Sequence, residues 1–401
     1  MVVSDVRQSS FARYMPDDWR LLISAFSAAN GIGWLSLLGL PFLIGSAMTS
    51  LNLNEAQAGL LVTLEFVGIM LASLATAPFM GRADRRQLAV IAALIALSAN
   101  AVSIFIQSYE ILLLIRPLAG VGAGIAIACG NAAVSNSSNP ERFAGHMTIL
   151  SVILMVVIML SFSRLGAFWG LRGVYAGITT IIVLMSFGLR HLPRGPLEAG
   201  PGTAPAQSTS HNRATITAAL MLAAFFAFSL RDTLAWAFLE RIGLQVGYSS
   251  EEIGNLLSIQ AMFGIVGPLA ASIVGSRFGL RAPLTIGILL SGIVTFAISR
   301  SSGSQWTYTL ATTFQPCTYF FTLAYLTALA AELDPLGRVV AGSGSALMAG
   351  VAIGPAVGGA LIVSSNGYTS VGWAIIACVS ATFLFSLLPI LAAQRSKRGQ
   401  H

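Results

Sequence analysis

Twelve apolar runs recur along the chain, at 20–46, 58–79, 88–107, 111–134, 145–163, 170–190, 215–239, 254–274, 283–299, 306–330, 339–364 and 371–393, divided by short polar segments. As a helix, a run of about 20 residues crosses the roughly 30 Å of a bilayer's hydrocarbon. Apolar residues fill each run instead of alternating, and lipid offers the backbone no partners, so the pattern predicts membrane-spanning helices and not barrel strands. The first run follows a basic, polar stretch and is succeeded by eleven more, so it reads as a span and not as a cleaved leader.

Composition agrees with the pattern. Charged residues make up 9% of the 401 positions and hydrophobic ones 55%, whereas a soluble domain carries about 25% charge. Placing both termini in the cytoplasm assigns 16 of the 22 Lys and Arg to that side, the bias expected of inner loops. Arg164, Arg172, Arg241 and Arg300 fall outside, and Arg116 and Arg231 fall within spans. The net charge of +7 is therefore a rim facing anionic lipid, not a nucleic-acid surface. The expected location is a bacterial-type inner membrane, crossed many times. Cys129, Cys317 and Cys378 sit singly in apolar runs, and the four histidines are scattered, so no metal site or cofactor is expected.

The interval Pro193 to Ala214 is the longest polar, turn-rich stretch and reads as a flexible linker. It divides the chain into a bundle of six helices at 1–192, the linker at 193–214, and a second six-helix bundle with a short basic tail at 215–401. The halves repeat: Gly59 with Gly254, Gly81 with Gly275, Pro140 with Pro335 and Arg142 with Arg338 all recur at a spacing of about 195, a mark of transporter architecture.

After the second run comes Gly81-Arg82-Ala83-Asp84-Arg85-Arg86, and after the eighth a weaker echo from Gly275 to Arg281. The fourth run carries Arg116-Pro117-Leu118-Ala119-Gly120-Val121-Gly122-Ala123-Gly124. With twelve spans and a central loop, the chain resembles the major facilitator superfamily over essentially its whole length. The resemblance implies an all-α fold of two pseudo-symmetric six-helix bundles. It also implies an inner gate at Gly81, Asp84, Arg85, Arg86, Gly275 and Arg281, against the alternative of a solvated loop that only sets topology. Asp84 stands three positions after Gly81, where the family has its acid four after. Gly350, Gly354, Pro355 and Gly358 resemble the glycine-proline motif of the antiporter branch, which in that branch belongs to the fifth span; here they lie in the eleventh. The small residues Gly120, Gly124, Gly350, Gly354 and Gly358 let helices approach closely.

Within the spans, ionisable residues reduce to Glu65, Arg116, Arg231 and Asp232. Each costs about 2.5–3.5 kcal/mol at mid-membrane on insertion scales, so use is the default reading. Glu65 and Arg116 both lie about 8–10 Å below the outer boundary at 1.5 Å per residue, and Asp232 lies at similar depth. Glu65 and Asp232 are the candidate proton-coupling groups, and Arg116 a candidate partner for a carboxylate. A permanent structural pair, or side chains snorkelling to the interface, is the competing account. Arg231 and Asp232, as neighbours, diverge by about 100° on a helix. Asn30 and Trp34 share a face of the first run; Asn30 reads equally as a solute contact or as glue between helices. Phe314, Gln315 and Tyr319 in the tenth run offer a stacking surface and a polar handle, or ordinary core and lipid-facing aromatics. Trp306 and Tyr308 read as an interfacial belt.

The expected function is secondary transport of a small organic solute, amphipathic or aromatic, by alternating access, first as proton-coupled efflux and second as proton symport of an organic acid. An enzyme would need a clustered nucleophile, base or metal set that the chain lacks, and a transport-inactive sensor would normally carry a soluble region. The expected partners are a small-molecule substrate, protons and the lipid bilayer, with no nucleic acid and a monomeric chain.

Overall fold

The computed structural model describes residues 18–80, 82–134, 137, 140–195, 212–275, 277–301, 303–334, 338–365 and 367–398. Among them there is no strand. Gly81, the first residue of the expected gate, and 196–211 of the expected linker lie outside the described residues.

The first pass is not one helix, as the apolar run suggests. It is built from α1 (Trp19–Phe26), a π-helical segment (Ser27–Gly33), α2 (Leu35–Leu38) and α3 (Leu40–Leu51). The amide of Trp34 reaches back five residues to the carbonyl of Ala29 at 2.9 Å, the signature of an inserted residue. Pro41 at the start of α3 has no amide to extend the ladder backward.

The second to fourth passes are α4 (Glu55–Thr76), α5 (Arg85–Ser103) and α6 (Tyr109–Val134). Asn54 and Gln57 form a reciprocal capping box that starts α4. The fifth and sixth passes form one continuous element, α7 (Pro140–Ser186), broken at Gly170 with φ 59 and ψ −145. The loop expected at 164–169 is therefore helical, and the reversal is confined to one glycine, where a side chain would be strained. The amide of Leu171 donates to Ser50 Oγ at 2.8 Å and anchors the break.

The second half comprises α8 (Asn212–Trp236) with a short extension α9 (Leu239–Val246), α10 (Ser250–Phe263) with α11 (Val266–Val274), then α12 (Arg281–Ser299), α13 (Gln305–Leu333), α14 (Arg338–Ser365) and α15 (Thr369–Arg398). Nine helices among the described residues are long and apolar enough to cross a membrane. The break in α7, the segmented first pass and α13 bring the passes to twelve, in two six-helix halves. Ser249 and Glu252 repeat the capping box at the start of α10, as Asn54 and Gln57 do at α4.

The halves are tied at the end away from the termini. Trp236 Nε1 donates to the Leu37 carbonyl at 3.0 Å. Arg241 donates to the Gly45 carbonyl and to Thr49 Oγ1 at 2.5 Å. Tyr368 Oη donates to Glu55 Oε1 at 2.9 Å, the Ala356 amide to Thr63 Oγ1 at 3.0 Å, and Arg164 pairs with Glu251 at 2.7 Å. Gly59 lies against the Pro355 carbonyl and Gly359 against that of Glu55. The apolar core is continuous across the halves at this end, through Leu234, Trp236, Phe238, Ile242 and Tyr368. Toward the other end of the second half, Met221, Phe225, Leu284, Ile288 and Leu326 form a separate core.

Tyr308 departs from the interfacial-belt expectation. It is fully buried and donates to the Leu239 carbonyl at 2.9 Å, pinning α9 to α13. Trp306, on a different face of the same helix end, is 78% exposed.

Candidate functional site

Close packing of α4 on α6 delivers one charge to another. A Cβ at Gly120 would strike the Glu65 carbonyl, and one at Gly124 that of Ile69, so only glycine permits this approach. Glu65 then meets Arg116: Oε2 lies 2.7 Å from Nη2 and 3.1 Å from Nε. Ser36 Oγ donates to Glu65 Oε1 at 2.6 Å. Arg116 Nη1 donates to Asn100 Oδ1 at 3.1 Å and Ser103 Oγ at 3.3 Å, and the guanidinium lies 4.8 Å from the centre of the Tyr175 ring. The arginine and carboxylate side chains are 1% and 2% exposed. Charges this deep persist when paired and hydrogen-bonded, as these are through both carboxylate oxygens and through Nε and Nη1 of the arginine.

The second half holds a different cluster. Arg231 turns toward α12, where Nη1 donates to the Ser291 carbonyl at 2.6 Å and Thr295 Oγ1 at 2.8 Å. Its guanidinium lies 4.7 Å from the Phe228 ring centre. Asp232 diverges from its neighbour, standing 3.7 Å from Arg231 Nη2 with 18% of its side chain exposed. Its Oδ1 accepts from Gln315 Nε2 at 2.6 Å, and Gln315 Oε1 accepts from Gln260 Nε2 at 2.6 Å. Tyr319, one turn beyond Gln315, stacks on Phe228 with ring centres 4.9 Å apart.

The four intramembrane charges thus form one pair in each half, buried in the first and partly exposed at Asp232 in the second, and the ion pairs of the described residues join none of the four across the halves. Asn30 donates to Ser151 Oγ of α7 at 2.8 Å from the π-helical segment, with Trp34 half-buried at the segment's end. Phe314 parts from Gln315: it is 45% exposed and packs edge-on against Phe263. Gly350 and Gly354 meet Ser229 and Thr233 of α8, and Gly358 meets Phe238, while Pro355 abuts Gly59 of the other half.

At the expected gate, Asp84 caps α5 by accepting from the amides of Arg86 at 2.9 Å and Gln87 at 3.0 Å. The Gln87 amide above all holds its carboxyl below the usual carboxylate range. Arg85 is buried with Nε toward the Gly195 carbonyl at 3.4 Å. Arg86 lies half-exposed, and Arg281 lies exposed at the start of α12. Gly275 takes φ 52 at the end of α11, and its carbonyl accepts from Tyr325 Oη at 2.9 Å. No cluster of metal-ligating side chains occurs among the described residues.

Gln260 does not stand out as a site residue from the apolar runs alone. The repeat spacing carries the signal: Gln260 follows Glu65 by 195 positions, Arg231 follows Ser36 and Thr295 follows Asn100 by the same interval.

Solved structures share this architecture. A bacterial homolog of the human lysosomal transporter Spinster, described as inward-facing and unoccupied, matches with a TM-score of 0.70 at 15% identity, over 95% of this chain and 98% of that one. A point mutant of the nucleoside transporter NupG matches with a TM-score of 0.69 at 14% identity, over 94% and 99%. A D-xylose-proton symporter-like 3, chloroplastic, protein of Arabidopsis thaliana is 31% identical over 159 residues, 38% of this chain. The aligned part is 28% of that relative's length. The family model of the Major Facilitator Superfamily matches residues 21–231, more than half of the chain. With twelve passes in two repeated halves around paired intramembrane charges, the chain belongs to the major facilitator superfamily and is a membrane transporter, not an enzyme.

Proposed function

We propose that the protein is a proton-coupled carrier of a small organic solute, with Asp232 as the group that takes up and releases the proton. The observation that carries this reading is the contrast between two deep acids. Glu65 is sealed by Arg116 and Ser36, whereas Asp232 keeps partial exposure, a neutral amide partner and an arginine at 3.7 Å. A proton-exchanging carboxylate needs a path to water and a partner that tolerates its neutral form. Glu65 and Arg116 then act as a lock that keeps the first half rigid. Gln315, Tyr319, Asn30 and Trp34 supply amide and aromatic contacts for a solute with both hydrogen-bonding groups and an apolar face.

With the termini cytoplasmic, as the Lys and Arg distribution supports, the tied end is the outer one and this state faces inward. The halves at 1–192 and 215–401 rock about the tied rim, joined by the linker at 193–214, and the Asp84 to Arg86 turn closes the inner side in the opposite state.

Uptake with protons is the favoured direction, supported by the local likeness to a relative named as proton-symporter-like. Efflux by antiport is the second reading, favoured by the Gly350 to Gly358 signature on α14.

The test reconstitutes the protein in liposomes under an imposed pH gradient, with labelled pentose, nucleoside and aromatic-cation probes. Symport accumulates solute in the alkaline compartment and antiport in the acidic one. Asp232→Asn is expected to lose gradient-driven accumulation while retaining exchange at equal pH. Unchanged pH dependence in that variant would sink the reading.

A further inference from the structure

The chain from Asp232 through Gln315 ends at Gln260 in an unmatched acceptor. Gln260 is 1% exposed, and its Oε1 has no hydrogen-bond partner among the described residues. Every orientation along this chain is forced. An ionised carboxylate only accepts, so Gln315 must turn Nε2 toward Asp232. Its Oε1 then faces Gln260, which must answer with Nε2, and the acceptor of Gln260 is left over.

We propose that Gln315 and Gln260 form a relay that converts the protonation state of Asp232 into the hydrogen-bonding polarity that Gln260 offers a solute. With Asp232 ionised, the free end of Gln260 is an acceptor and suits a hydroxyl or N–H donor. When Asp232 gains a proton, its O–H becomes a donor. Gln315 then turns over about its last side-chain bond, accepting from Asp232 through Oε1 and donating through Nε2 to Gln260 Oε1. The free end of Gln260 becomes an N–H donor, and a donor-bearing solute loses its partner. One O–H bond forms at Asp232, from the proton that coupling supplies, and the remaining changes are exchanges of hydrogen bonds. The relay rests on the proton role of Asp232.

The groups around the acid are few. Arg231 stands beside it on α8, Tyr319 faces it from α13 and Cys378 faces Arg231 from α15. From α12 come the neutral Ser291 and Thr295, and the charge of α14, Arg338, lies at that helix's far end.

Infrared difference spectra of the whole protein in lipid, taken between alkaline and acid pH with isotope-labelled glutamine, separate the two claims. Acid should produce a protonated-carboxyl band that Asp232→Asn removes. It should also produce a glutamine carbonyl shift that falls to background in Asp232→Asn and Gln315→Leu and shrinks to the Gln315 share in Gln260→Leu, while the two glutamine variants keep the carboxyl band. Gln315→Met and Gln260→Met serve where a leucine variant does not fold. A carboxyl band that is absent, or unchanged in Asp232→Asn, overturns the proton role of Asp232. A carboxyl band lost in Asp232→Asn, with no glutamine shift or with one kept at full size in Gln260→Leu, overturns the relay alone.

Discussion

Glu65 and Gln260 occupy the same place in the two repeats, 195 positions apart, yet Glu65 ends on the guanidinium of Arg116 at 2.7 Å and Gln260 on the amide of Gln315 at 2.6 Å. Ser36, which caps the Glu65 carboxylate in the first half, is replaced at the same spacing by Arg231 in the second. The acid of the second half has moved to the neighbouring position, Asp232. One repeat is thereby closed around its charges, and the other leaves a carboxylate hydrogen-bonded to a neutral amide, with its arginine 3.7 Å away.

Glu65→Gln leaves Arg116 buried without its counter-charge, which costs about 3–5 kcal/mol when one partner of such a pair is removed. Thermal unfolding in detergent should show that loss, and the double variant Glu65→Leu with Arg116→Leu should recover most of it. A single variant as stable as the double would mean that the two residues do not act as a unit.

Glycine substitutions should separate packing within a half from packing between halves. At Gly120 a side chain meets the Glu65 carbonyl inside the first half, so Gly120→Val should lower stability by about 1–3 kcal/mol through overpacking. At Gly59 it meets the Pro355 carbonyl of the other half. Gly59→Val should melt near the wild type but expose a cysteine placed at Ala356 to faster thiol labelling.

The ties between halves should differ in weight. Arg164 and Glu251 are 43% and 59% exposed, and a pair so open to water contributes about 0–1 kcal/mol. Arg164→Ala should therefore leave the distance distribution between spin labels at Asn52 and Gln245 unchanged. Arg241→Ala, which removes donors to Gly45 and Thr49, should broaden it toward longer separations. Equal effects from the two variants would overturn this ranking.

Asp84 offers a pH-dependent check outside the membrane. Its folded-state carboxyl is held below the ordinary value of about 3.9. The capping contribution is thus fully present above the unfolded value and lost as pH falls through the folded one. A carboxyl titration by NMR should give a midpoint below that of an unstructured peptide. Hydrogen exchange at the Arg86 and Gln87 amides should quicken in Asp84→Ala but not in Asp84→Asn, whose side chain still accepts.

The passes were legible because lipid demands long apolar helices, and the depth agreement of Glu65 with Arg116 followed from counting residues along two runs. The break in the first pass was not legible. Its cause is tertiary, since Gly31 and Gly33 press against Met185 and Ile127, and an apolar run reads the same whether α or π. The helical 164–169 segment was missed because Gly170 alone makes the reversal, so no polar loop was needed. Arg231's engagement with Ser291 and Thr295 depends on which face of α12 turns inward, and periodicity in an all-apolar helix does not reveal that face. Gln260 was within reach through the repeat spacing, since aligning the halves residue by residue sets it against Glu65.

Two of the ties at the closed rim end on main-chain oxygens, those of Leu37 and Gly45. Substitution cannot delete a carbonyl, so α2 and α3 keep these two acceptors through side-chain changes elsewhere, Gly45 itself being held as glycine by the Glu240 carboxylate against it. Adjustment of the resting state in related chains is channelled into the donors, Trp236 and Arg241, and a survey of natural variants should find the conformational preference tracking these two positions.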